Sequence, residues 1–586
     1  MLKKTDGFTF ESDTKYNLSI QESESEKDIL KLSIVLDFEG EIYPEPVVIR
    51  WTYPCREVFS QWNPQLWSAR YLNPNWMPVR NRSRSAEGAP VQIHMTADGT
   101  NEITVYLSDV QSAAELASGV TEETAELSYK LVLFAERTAP MRKYKTELVI
   151  DRRKIPYEQM LKSVSEYWSS GCTANAALRE PVYSTWYAYH QNLDSNTLLA
   201  ELAEARKFGM TAVIIDDGWQ TADSERGYAH CGDWQPKKLG DMRKFVADVH
   251  RLGMKCILWY SVPFIGKYAK AWEKFRGRTL NKLDPKHPWC VLDPRYPEVR
   301  EYLLSLYEAS VREWDIDGLK LDFINNMQLT GDSHEPNEEM DYTSLEDAIC
   351  ALLAEVKKRL TAVKPDIVFE FRQPYTGPAM RGCGGIQRAA DCPADALKNR
   401  AEITDLRLLA DEKTAVHSDM LMWDYTASAE TAALQLINVM FSVPQISVRL
   451  AELSKPHRSM LKFYLELWKS RRECFISGKF RAHNPETGYS LISGETEEKI
   501  AAAAYVKNCL EIKKSYSEIV FINGSWDERL YIENCGCGIE MKCIIYDCTG
   551  NVTADTDVFL KKGTNSFAVP KSGVLLLSAV PDSEFV

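Results

Sequence analysis

The 586-residue chain contains no uninterrupted apolar run long enough to cross a bilayer, which argues against a helical membrane protein. It also lacks a basic excess. Seventy Lys and Arg stand against 83 Asp and Glu, a formal net charge of −13, and a surface of that sign repels both nucleic acid and anionic membranes. The segment from Met1 to Glu11 lacks the apolar core of a signal peptide, so a cytoplasmic protein is the expectation. Cysteine is present but unorganised: 14 scattered residues read as reduced thiols rather than a disulfide framework. The one cluster, Cys535, Cys537, Cys543 and Cys548, has neither paired Cys-x-x-Cys arms nor a neighbouring His, which is poor chemistry for zinc. No internal repeat of fixed period and no low-complexity segment occur, so a solenoid or a disordered tract is not expected.

What remains is an ordinary globular composition, 45% hydrophobic and 26% charged, with room for two to four domains. Residues 1–150 hold short β-rich segments separated by polar turns, such as 30–36 and 127–134, the pattern of a β-sandwich. Within it lies an aromatic stretch, Trp51, Trp62, Trp67, Tyr71 and Trp76, broken by Asn-Pro pairs at 63–64 and 73–74. Such rings can serve as platforms for the apolar face of a sugar, and core packing is the better reading for most of them. A helix around 157–168 marks a linker over 151–180.

From Pro181 the texture changes to strands alternating with helices, and the alternation can be followed for eight rounds. The strands are read at 183–190, 211–219, 255–264, 318–325, 367–374, 386–391, 415–425 and 444–450. Helices are read at 197–208, 241–252, 297–314, 344–360, 396–410, 430–440 and 459–473. The round between Pro374 and Ile386 lacks a clear helix. The expected fold is therefore α/β: a (β/α)8 TIM barrel over 181–477, with a smaller C-terminal β-sandwich over 478–586.

In such a barrel the chemistry sits at the carboxyl ends of the strands. Strand 2 ends in Asp216-Asp217-Gly218-Trp219 and strand 4 in Lys320-Leu321-Asp322. Strand 5 carries Glu370-Phe371-Arg372, strand 6 Arg388-Ala389-Ala390-Asp391, and strand 7 His417-Ser418-Asp419. Asp322 ends an apolar run, where a carboxylate is costly to bury; it is a catalytic candidate, the bland alternative being a cap on the next helix. Adjacent carboxylates at 216 and 217 suit recognition of sugar hydroxyls, because ionised carboxylates are strong acceptors. Carboxylates from strands 4 and 6 facing each other across a bound bond are what a glycosidase needs.

Taken together, Asp216-Asp217-Gly218-Trp219, Cys231-Gly232-Asp233-Trp234, Leu258-Trp259, Leu292-Asp293-Pro294 followed by Pro297-Glu298-Val299-Arg300, Lys320-x-Asp322-x-x-Asn325, and Arg388-x-x-Asp391-x-x-x-Asp395-Ala396 with Arg400 resemble the α-galactosidases of glycoside hydrolase family 36, with kinship to family 27. The resemblance covers about residues 183–425. It implies a retaining mechanism with Asp322 as nucleophile and Asp391 as general acid and then base, the acid holding a raised pKa while the nucleophile stays ionised. It further implies that Lys320 keeps Asp322 charged and, with Asp216 and Asp217, binds the O4 and O6 side of galactose. Trp186 and Trp219 would stack on the ring, and Arg388 would lie beside O2 and orient Asp391. No cofactor and no metal are called for, and the partner is an oligosaccharide or glycoside.

The departures are local. Family 36 follows the strand 5 Glu with Cys-Ser-x-Gly-Gly, which lines the O2 pocket, whereas this chain reads Glu370-Phe371-Arg372-Gln373-Pro374-Tyr375. Arg372 either binds an anionic or N-acyl sugar or pairs with Glu370, the latter being preferred. His417-Ser418-Asp419-Met420 is closer to the Asp-Met pair of family 27, and the N-terminal domain is short for family 36. The expected activity is that of an exo-α-galactosidase. An α-N-acetylgalactosaminidase or transglycosylase using the same site is the first alternative, and an inactive sugar-binding protein the second. Sequence leaves open whether the chain forms a homo-oligomer whose Trp-rich stretch reaches a neighbouring site.

Overall fold

A computed structural model describes residues 2–5, 7–66, 70–168, 179–223 and 228–580. Trp67 and residues 169–178 of the expected linker lie outside the described residues. Among the described residues, no helix is long and apolar enough to cross a membrane.

The N-terminal region folds as two six-stranded antiparallel sheets. Strand Glu126–Leu133 alternates buried and half-buried residues, as a strand with one face on a core must. Its inward residues meet those of the opposite sheet in a core that includes Phe10, Ile34, Ile49, Val105, Leu131 and Leu148. Trp51 packs flat on Tyr129 at 5.0 Å inside this sandwich. Trp62 is buried at the barrel interface, whereas Trp76 is 71% exposed. A helix, Tyr157–Tyr167, then leads to the barrel.

Eight parallel strands close the barrel in sequence order: Val182–Ser184, Ala212–Ile215, Lys255–Ser261, Gly318–Asp322, Val368–Arg372, Ile386–Arg388, Ala415–Leu421 and Val443–Ile446. Branched residues fill its floor, among them Val182, Ile214, Ile257, Val368 and Ile386. The helices start where the sequence supplies caps. Asp194 accepts from Thr197 N at 2.8 Å and Asp395 from Lys398 N at 2.9 Å, and Pro297 opens Pro297–Trp314.

Two rounds differ from expectation. The first strand stops at Ser184, and Trp186–Tyr189, expected to continue it, forms a short helix over the barrel mouth. The fifth round has only the single turn Pro378–Arg381. The N-terminal sandwich fills the gap: Gly88 N donates to Pro374 O at 3.1 Å, and a side chain on Gly377 would lie 2.1 Å from Gly88 O. From the same segment, Arg84 donates to Asn325 O, Met327 O and Glu346, so it grips the loop that follows the fourth strand. After the barrel, a seven-stranded and a three-stranded sheet share a second β core, with Leu510, Phe521, Ile532 and Leu575 among its residues.

Candidate active site

Register decides which side chains meet at the barrel mouth. Lys320 pairs with Glu370 across strands 4 and 5, and Arg372 with Arg388 across strands 5 and 6. Side chains two residues apart share a face, so Asp322 falls opposite Arg372. Arg372 Nε donates to Asp322 Oδ1 at 2.7 Å. The preferred pairing of Arg372 with Glu370 is thus corrected: Glu370 lies one layer deeper, where Gln445 Nε2 reaches it at 2.6 Å and Arg388 at 3.5 Å.

The two oxygens of Asp322 are unequally held. Oδ1 accepts from Arg372, from Tyr375 OH at 2.9 Å and from its neighbour Phe323 N at 2.8 Å, while among the described residues Oδ2 accepts only from Trp259 Nε1 at 3.0 Å. Phe323 adopts a left-handed conformation with φ of 64°, which turns its N–H back onto the carboxylate. Burial alone would push the Asp322 carboxyl up. Arg372, Lys320 and the Trp259 hydrogen bond outweigh it and hold the group well below the usual carboxylate range.

Lys320 projects from the same face two residues earlier and donates to Asp216 Oδ2 at 2.6 Å. Beside it, Asp217 takes hydrogen bonds from Gln220 at 2.6 Å and Gln191 at 2.7 Å. The close approach of Gln191 depends on Gly218. There φ is +114° and a Cβ would lie 2.6 Å from the Gln191 backbone, so no larger residue fits. Burial pushes the Asp217 carboxyl up to about 6 despite the two amides.

Arg388 is fully buried and spreads its guanidinium over three carboxyls: Asp391 at 2.9 Å, Glu370 at 3.5 Å and Asp419. Asp419 also accepts from Tyr187 OH at 2.9 Å and Cys392 N at 2.7 Å, which ties the loop carrying Asp391 to strand 7. Asp391 is the open member of the cluster, its side chain 48% exposed. Burial raises its pKa, but Arg388, Lys320 and Arg372 together bring it below the ordinary value. The raised acid expected at this position is therefore not met in the unliganded chain. Asp419 and Glu370, by contrast, are pushed up, chiefly by burial.

Several other expected contacts need correction. Trp219 is 0% exposed and packs against Trp234, Tyr260 and Trp314, so its ring has no face to offer a sugar. Its Nε1 donates to Trp259 O at 2.9 Å, which makes it a brace for the residue that touches Asp322. Glu370, Arg388 and Asp419 are likewise sealed beneath the mouth, with Arg388 held against Glu370, Asp391 and Asp419 rather than presented at a ligand surface. Trp186 remains half-exposed at the rim, edge-on to His190 at 4.8 Å. Trp259 appears in the Leu258-Trp259 motif and Tyr375 in the segment after Glu370, neither with a role assigned from sequence, and Gln191, Gln220 and Tyr187 were not singled out. For Trp259 and Tyr375 a signal existed, since each lies at or just past the carboxyl end of a barrel strand. Among the described residues, no group of three or more His, Cys, Asp and Glu is placed to hold a metal.

A closed barrel with carboxyls grouped at its strand ends, set between two β regions, has the layout in which two carboxyls can face each other across a bound glycosidic bond. Residues 173–379 match the family model described as Melibiase, in keeping with the motif resemblance to family 36 α-galactosidases. It is 22% identical over 200 residues to the bifunctional alpha-galactosidase/sucrose kinase AgaSK of Mediterraneibacter gnavus, covering 33% of this chain and 20% of that protein. It is 23% identical over 199 residues to alpha-galactosidase 1 of Pediococcus pentosaceus, covering 33% and 27%. These matches thus span about a quarter or less of the relatives' own lengths. In fold it is similar to the GH36 alpha-galactosidase AgaA from Geobacillus stearothermophilus, solved in complex with raffinose, with a TM-score of 0.66 at 16% identity, over 98% of this chain and 81% of that one.

Proposed function

We propose that the chain is a cytoplasmic, retaining exo-α-galactosidase that removes terminal α-linked galactose from oligosaccharides without cofactor or metal. The observation that carries this reading is the unequal holding of Asp322. Three donors pin Oδ1, and the ion pair keeps the group charged, which leaves Oδ2 as the freer oxygen to attack the anomeric carbon. Attack forms the glycosyl-enzyme ester while Asp391 protonates the departing oxygen. Asp391 then takes a proton from the incoming water, which releases the sugar and restores both carboxyls. A sugar lying over the exposed half of Asp391 strips water from it and shifts its pKa upward, toward what an acid requires. Lys320 and the carboxyls of Asp216 and Asp217 form the clamp for the O4 and O6 side, and Trp186 stands at the rim.

The balance of charge supports a neutral substrate. Lys320, Arg372 and Arg388 are each already paired with a carboxyl, and the six carboxyls Asp216, Asp217, Asp322, Glu370, Asp391 and Asp419 outnumber them, which disfavours an anionic ligand. The test is a panel of 4-nitrophenyl α-glycosides with purified protein. Turnover is expected on the galactoside, and Asp322→Ala should lower it at least about a thousandfold, the scale on which loss of a nucleophile is felt. Full activity in Asp322→Ala would overturn the assigned nucleophile. Saturable sugar binding with no turnover on any α-glycoside would instead establish a binding protein.

A further inference from the structure

Arg372 spends only part of its donor set on the protein. Nε is given to Asp322 and one Nη1 hydrogen to Gln373 O at 3.0 Å. Among the described residues, nothing accepts from Nη2. The guanidinium lies 5.3 Å from the centre of the Phe323 ring and 5.7 Å from that of Tyr375. Its side chain is 14% exposed, so it is fixed in place yet reachable. The loop behind it is held from outside the barrel by the Gly88 to Pro374 hydrogen bond.

Resting on the reading of Asp322 as nucleophile, we infer that Arg372 is a specificity-determining residue that bridges Oδ1 of Asp322 and the substrate's 2-hydroxyl through Nη2. Two ring atoms flank the carbon that Oδ2 attacks; the ring oxygen gains positive charge in the transition state and is repelled by a guanidinium, so the C2 side with its hydroxyl is the one that fits beside Oδ1 and Arg372. A sugar that lacks the 2-hydroxyl leaves this fixed donor without a partner in a site the ligand has closed to water, which is where discrimination arises. An anionic substituent is disfavoured because Asp322 already balances the guanidinium charge. A 2-acetamido group is disfavoured because it would set a bulkier group in place of the hydroxyl against a guanidinium held beside the Phe323 and Tyr375 rings. Arg372 therefore selects sugars with a free hydroxyl at C2.

The test is a substrate-by-variant cycle measured as kcat/KM. Wild type and Arg372→Gln are each assayed on 4-nitrophenyl α-galactoside, its 2-deoxy analogue and its 2-acetamido analogue. Wild type should prefer the parent at least a hundredfold over both, and in Arg372→Gln the preference over the 2-deoxy substrate should fall at least tenfold, because one partner is already gone. Arg372→Lys, which keeps the charge but not the fork, serves if the Gln variant fails to fold and should show the same narrowing. Equal slowing of parent and 2-deoxy substrates in both variants overturns the role at O2 and leaves Arg372 acting on Asp322 alone. Wild-type turnover of the 2-acetamido sugar at a rate near the parent's also overturns it. Turnover of the parent by wild type is the control: with it, an equal loss removes only this inference, and without it the galactosidase reading falls as well.

Discussion

Glu402 lies on the helix Ala396–Leu409, 5% exposed, and its Oε2 has no hydrogen-bond partner among the described residues. It lines a cavity of about 480 Å³ between the N-terminal sandwich and the barrel, with Gln65, Glu87, Gln373 and Gln387. Lys398, at 3.7 Å, is its nearest cation. Burial, assisted by Asp419 and Asp405, pushes its carboxyl from an ordinary value of 4.5 up to about 8. A carboxyl raised by folding binds its proton more tightly in the native state than in the unfolded chain. Native stability is therefore lost as pH climbs from the unfolded value toward 8. Linkage between 4.5 and 8 gives a cost of about 1 kcal/mol at pH 5 and about 4 kcal/mol at pH 8. Gln has the same shape and no proton to lose. Glu402→Gln should accordingly gain about 3 kcal/mol on wild type between pH 5 and pH 8, read from urea denaturation curves of both proteins at both pH values. A difference between the two proteins that stays constant within about 0.5 kcal/mol across that range would refute a buried, protonated Glu402.

Further expectations concern the acid and the domain interface. Asp391→Ala should retain far more activity on an activated aryl galactoside than on raffinose, and azide, which needs no general base, should restore turnover and yield α-galactosyl azide; absence of both effects would remove Asp391 from the acid/base role. Arg70 Nη2 lies 2.8 Å from both oxygens of the buried Asp405 carboxylate, which also accepts from Trp62 Nε1 at 2.7 Å and from Tyr489, so three regions of the chain meet there. Arg70→Met leaves a buried unpaired carboxylate and should cost about 3–5 kcal/mol by urea denaturation, most of it recovered in Arg70→Met/Asp405→Leu; a loss under about 1 kcal/mol would show that the pair is not desolvated.

Much of the barrel was legible because its punctuation is local. Gly209 and Gly253 close helices, Asp and Ser open them, and the apolar strands between are short. Strand 1 was read too long because Trp186–Tyr189 is aromatic and apolar, a texture that strands and buried helical turns share. In the site, Asp322 and Lys320 were visible as alternate residues of one strand. The partner of Arg372 was not, because a two-residue spacing made Glu370 the natural neighbour, whereas inter-strand register puts Glu370 beside Lys320 and leaves Arg372 level with Asp322. Trp219 shows the converse limit. A tryptophan at a strand end looks the same in sequence whether its ring faces a ligand or, as here, three other aromatic residues.

The truncated fifth round means that this barrel does not own its complete wall. Where a helix would normally shield the sheet, the chain borrows a loop from a separately built β region, and that loop touches the loops after strands 4 and 5, next to Asp322 and Arg372, through Arg84 and Gly88. The catalytic unit is thus larger than the barrel. Grafting the barrel onto another scaffold, or recombining it with a foreign N-terminal region, would carry over every carboxyl while discarding the support that keeps Arg372 and Tyr375 against Asp322. A substitution near Gly88 therefore bears on the loop that follows Arg372, and through it on the surroundings of Asp322.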